Sequence, residues 1–112
     1  MAERVNPVIL RDKESGQTYT LEFDRETVLW ADARGFSMQD LDRQPMTKIY
    51  EFFYYAFHMH HKNVAKEKTD KIIDGWGGVR HLPEGLMERL GELWAQAFDT
   101  GNENPQRVEV EL

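Results

Sequence analysis

Three histidines lie within four residues at His58, His60 and His61. They are this chain's best candidates for chemistry, since imidazole nitrogens are common ligands of transition metals. His58 and His61 have a spacing that lets both reach one ion from a helix. The set is not completed, however. Glu51 is seven residues before His58, and downstream come Lys62, Lys66 and Lys68, whose charge repels a cation. No metal and no cofactor is therefore expected. The plainer reading leaves His58 and His61 either solvated or near the helix C-terminus, where imidazolium is favourable, and packs His60 at the end of the apolar stripe.

Gly75, Trp76, Gly77 and Gly78 have the composition of a phosphate cradle without its setting. Such a loop follows a buried strand and runs into a helix bearing Lys and Ser or Thr, whereas here Val79, Arg80, His81 and Leu82 precede Pro83. A hinge or turn is expected, with Trp76 either pinned on the core or presented at its tip. Ser15 falls in a turn and Ser37 at a cap, so neither has the setting of a nucleophile. Asp40 with Asp42, and Glu109 with Glu111, are ordinary surface patterns. The sequence is accordingly read as non-enzymatic. Lys62, Lys66, Lys68 and Lys71 make a basic patch moderated by Glu67 and Asp70, either a solvated face or an electrostatic docking edge.

What the chain has in surplus is aromatic rings. Six of the eight residues from Tyr50 to Phe57 are aromatic. At about 100° per residue, Ile49, Phe52, Phe53, Ala56 and His60 form one stripe and Tyr50, Tyr54 and Phe57 widen it, leaving Lys48, Glu51, Tyr55, His58 and Lys62 to face water. A surface helix usually needs an apolar arc of about 100°. This helix is therefore central, or it docks a partner. Aromatic rings are favoured interface anchors, and Tyr50, Tyr54, Phe57 and Trp76 are the candidate protein-binding residues.

The elements that must position these side chains follow from local signals. Val8–Leu10 and Thr18–Phe23 read as a β-hairpin with one apolar face, and Gly16 can supply a positive φ in its connection. Two strands are marginal alone, so helices must cover that face. Asp24 is a candidate N-cap for a helix packing through Val28, Leu29 and Ala33, and Gly35 ends it, with Phe36 placed for the accompanying hydrophobic contact. Ser37 and Asp40 have capping-box spacing for a short turn of helix. Pro45 opens the aromatic helix, expected over 45–62. Thr69 is placed to cap a short helix through Ile73, broken by the glycines. A final helix from Pro83 to about Phe98 aligns Leu86, Leu90, Leu93, Trp94 and Ala97, with the aromatic helix as its partner. The expected fold is α+β, an N-terminal β-hairpin packed on three to four helices in one domain, 1–100. Residues 101–112 read as a flexible tail or an added strand.

The length of 112 residues suits one domain with a modest core. Fourteen basic against 20 acidic residues, a net charge of -6, argue against nucleic acid and against anionic lipid as partners. There are no cysteines, which removes disulfides, thiolate catalysis and cysteine metal sites. Neither a secretory signal nor a membrane span is legible, so a cytoplasmic protein is expected.

The order of these signals resembles a family of small tail assembly chaperones from long-tailed phages and prophages of Gram-positive bacteria. The likeness spans residues 8 to 98. It rests on Leu10, Arg11, Asp12, Lys13 and Gly16; on Tyr19 to Phe23 running into Asp24, Arg25 and Val28; on Gly35 and Phe36 ahead of Leu41; and on Pro45 and Met46 followed by Phe53, Ala56, Phe57, Met59, His60, His61 and Asn63. The run from Gly75 to Gly78 departs from it in being richer in glycine. The resemblance implies a protein made in the host cytoplasm that coats the tape-measure protein and recruits tail-tube subunits, with self-association among its copies. It also implies an extended form made by translational frameshifting in some members. The alternatives are a small adaptor or regulatory domain of another phage or bacterial assembly, and a histidine-metal enzyme.

Overall fold

Asp12 makes the first turn. In the computed structural model, which describes residues 4–97, its carboxylate accepts the backbone N–H of Glu14 at 2.9 Å and of Ser15 at 3.4 Å, which holds its pKa below the usual carboxylate value. Gly16 takes φ 77°, as the connection requires. Strand β1 (Val8–Arg11) thereby returns antiparallel as β2 (Thr18–Leu21), with Val8 opposite Leu21 and Arg11 opposite Thr18. Tyr19, Leu21 and Phe23 enter the core, whereas Ile9 and Arg11 stay outside.

Helix α1 (Arg25–Ala33) begins where expected, the Asp24 carboxylate accepting the Thr27 N–H at 2.7 Å. It ends in a Schellman pair: Phe36 N–H reaches Ala31 O, Gly35 N–H reaches Asp32 O, and Gly35 adopts φ 89°. The face that packs is Thr27, Val28 and Ala31. Leu29, expected inside, is 55% exposed, and Ala33 is also exposed, because both lie off the stripe that those three residues define.

The short α2 (Gln39–Arg43) forms only the returning half of the capping box, Asp40 accepting the Ser37 N–H at 3.3 Å. Helix α3 (Pro45–His58) stops four residues before the expected end. Helix α4 (Lys66–Gly75) is longer than expected and is not capped by Thr69, which is buried inside it. The Thr69 hydroxyl donates to Lys66 O at 2.9 Å, so its polarity is satisfied within the helix. A second Schellman pair, Gly78 to Ile73 O and Gly77 to Asp74 O, closes α4. After a single 3₁₀ turn (Val79–His81), α5 (Leu86–Gln96) starts three residues later than Pro83 suggests. Pro83 serves instead in the turn before it, its carbonyl accepting the Leu86 N–H.

The architecture is α+β, a two-stranded hairpin covered by helices. Its centre is a ring stack, Phe23 on Phe52 at 5.2 Å and Phe52 on Phe36 at 5.6 Å, with Trp94 of α5 set edge-on to all three. Through Trp94, α5 meets α3 as expected, and it also lies against β1, with Arg89 donating to Asn6 O just ahead of that strand. Phe98 and the segment 101–112 lie outside the described residues.

Candidate protein-docking surface

Tyr50 and Tyr54, one helical turn apart on α3, are both half-buried. The Tyr50 hydroxyl donates to Asp74 of α4, and that hydrogen bond is the main reason its pKa is raised. The Tyr54 ring lies 6.2 Å from Trp30 of α1 and 5.7 Å from Tyr55. Trp76 is half-buried with its ring tilted 69° to Phe53 at 5.8 Å, which settles its two alternatives in favour of pinning on the core.

Phe57 is different. It is 1% exposed, with Tyr19 of β2 at 5.4 Å and Phe53 at 5.1 Å, so it belongs to the core and not to a surface this chain presents. Tyr55, expected in water, is only 6% exposed because Trp30 and Phe36 close over it, and burial raises its pKa. The hairpin and α1 consume much of the aromatic surplus from either side of α3.

Trp30 was not singled out from sequence, yet it organises this side of the molecule. His58 stacks on it at 3.7 Å with the planes 8° apart, and the Arg34 guanidinium lies 4.7 Å from its ring centre. The available signal was the four-residue spacing of Trp30 and Arg34 on one helix. Burial, then Lys62 and Arg34, depress the pKa of His58. Along α3, Met46 (61% exposed), Tyr50 and Tyr54 follow at successive four-residue steps, with Trp30 beside the last.

The other two histidines hold the hairpin. Thr20 N–H donates to His61 Nε2 at 2.9 Å, and Glu22 N–H donates to Ala56 O at 3.0 Å. Alternate N–H groups along β2 and just past it are thus taken up, one by a spare carbonyl in the last turn of α3 and one by the His61 ring that follows the helix. Accepting that bond places the ring proton of His61 on Nδ1. His60, expected to pack, is exposed and pairs with Glu22 at 2.9 Å, whereas His61 is half-buried with its pKa lowered, first by burial and then by His60. The three side chains therefore serve three different partners. Among the described residues, no three of His, Asp or Glu converge where an ion could sit.

Among the described residues, no helix is long and apolar enough to cross a membrane. No curated protein and no solved structure matches the chain. The family described as a domain of unknown function, DUF5055, matches residues 1–112, and the chain belongs to that family.

Proposed function

We propose that this chain is a non-enzymatic assembly chaperone of long phage tails, acting in the host cytoplasm. It covers the tape-measure protein and recruits tail-tube subunits. The observation that carries the docking part of this reading is the ladder of Met46, Tyr50 and Tyr54 along α3, with Trp30 beside its end. These rings are held by contacts within the fold, so little freedom remains to be lost when a partner covers them. Methionine adds an apolar contact that adapts to different shapes. Weak contacts of this kind, repeated by many copies along a long client, sum to durable cover. The net charge of -6 keeps such a protein dispersed between encounters. The phage client follows from the resemblance of residues 8 to 98.

Co-expression with fragments of a tape-measure protein tests the reading. Wild-type chain is expected to co-purify with the client, and Tyr54→Glu is expected to fold yet lose client or self-association by light scattering, because a charge is costly only where it is stripped of water. Capture of no tape-measure fragment by the wild type would sink the proposal.

A further inference from the structure

A cleft of about 270 Å³ opens between the hairpin and α4. Its walls are apolar, made by Leu10, Tyr19, Ile72 and Trp76, and its rim carries Arg11, Lys13 and Lys68. The one acid there, Asp12, already has its carboxylate engaged by the backbone of the hairpin turn. A chain of net charge -6 thus gathers three cations around one small apolar hollow.

A second observation lies in the wall. Tyr19 is 2% exposed, and its hydroxyl has no hydrogen-bond partner among the described residues. Lys68 stands 5.6 Å from the Tyr19 ring centre and close enough to the hydroxyl to have its own pKa raised, without reaching good hydrogen-bond geometry. A buried hydroxyl without an acceptor is costly, and an acceptor brought in beside Lys68 would relieve it.

We infer that this cleft receives an acidic segment of a partner protein, one carboxylate side chain meeting Lys68 beside the Tyr19 hydroxyl while a neighbouring apolar side chain lies against Leu10, Ile72 and Trp76. The size supports a peptide: about 300 Å³ is the lower end for sites that enclose a whole small ligand, so this hollow suits one or two side chains. The assignment deepens the docking reading above by stating the chemistry of the partner, and the two can fail separately.

The probe is a blocked tetrapeptide, Glu-Leu-Asp-Phe, titrated into isotope-labelled full-length protein by NMR alongside its amide analogue, Gln-Leu-Asn-Phe, and acetate. The acidic peptide is expected to shift the Arg11, Lys13 and Lys68 amides and the Trp76 indole saturably, with the analogue at least about tenfold weaker and acetate without effect. Lys68→Met, which keeps the aliphatic stem, should weaken the peptide about tenfold. Tyr19→Phe should weaken it several-fold without lowering the melting temperature, since the hydroxyl has no partner to lose. Equal binding of the analogue, equal shifts by acetate, or no saturable shift in the cleft at millimolar peptide would overturn the assignment. A tape-measure fragment retained equally by Lys68→Met would overturn it too, while leaving the docking reading in place. Peptide binding without client capture would do the reverse.

Discussion

His61 accepts a hydrogen bond from a strand edge, so its protonation state is part of the fold. An imidazolium has no lone pair for the Thr20 N–H, and the same event would set two donors facing each other. The pKa values of His61 and His58 both lie below the ordinary 6.5. A base whose folded pKa is depressed is protonated more readily when unfolded. Its stabilising contribution is therefore complete above 6.5 and is lost as pH falls through that value toward the folded pKa. The melting temperature is expected to drop between pH 7.5 and 5.5, and His61→Gln, which can still accept the bond but cannot titrate, should flatten the profile. A wild-type profile flat over that range would contradict this account. The tyrosines give a second contrast. Tyr55→Glu buries a charge and should abolish the cooperative melt, whereas Tyr54→Glu should leave circular dichroism unchanged. The helical period put Tyr50, Tyr54 and Phe57 at the border of the apolar arc, where Tyr50 and Tyr54 are half-buried. But it put Tyr55 in water, and the aromatic surplus alone suggested Phe57 as a surface anchor. What covers those two, Trp30 and Tyr19, comes from other elements, and no window of α3 contains that information.

Element boundaries were legible wherever a side chain or a glycine makes the ending. Asp24, Gly16 and Gly35 each do what their residue types require, and the two strands pair as their alternation suggests. Helix α4 was misplaced because its first turn has no capping side chain, its N-cap being Ala65, while the residue that looks like a cap is buried within it. Helix α5 was started too early because proline suits a turn as readily as a first helical position. Gly35→Ala should cost about 1–2 kcal/mol, since alanine must take the left-handed conformation there and nothing crowds its Cβ. Urea titration would show this, and an unchanged midpoint would mean that the helix end has another support. Leu21→Ala and Leu90→Ala, both fully buried, should each cost about 2–5 kcal/mol. Near-zero losses at both would refute this core.

Across the whole molecule, the hairpin has no independent stability, because two strands seldom persist in water. It is held by Phe23 on Phe52, by Trp94 against Phe23, and by the bonds from Glu22 to Ala56 in α3 and from Thr20 to His61 just beyond it. Hairpin and helices should therefore unfold together. Far-UV dichroism and tryptophan fluorescence are expected to report one coincident transition, and separated midpoints would divide the domain in two. The fold class was legible because hydrophobic pattern and turn residues agree locally. The candidate surface was legible only in part, since a docking face is what remains after tertiary packing has taken its share of the rings.

The clasp between β2 and the end of α3 also bears on the order of events in folding. Thr20 and His61 are 41 residues apart, whereas the bonds within the hairpin and within each helix are local. Closing so long a loop is entropically costly, so this contact is expected after the local structure has formed and after the main folding barrier. His61→Ala should then leave the refolding rate nearly unchanged and speed unfolding by most of the stability it removes. On that account, His61 governs how long the native state persists once made, and has little to do with how quickly it is reached.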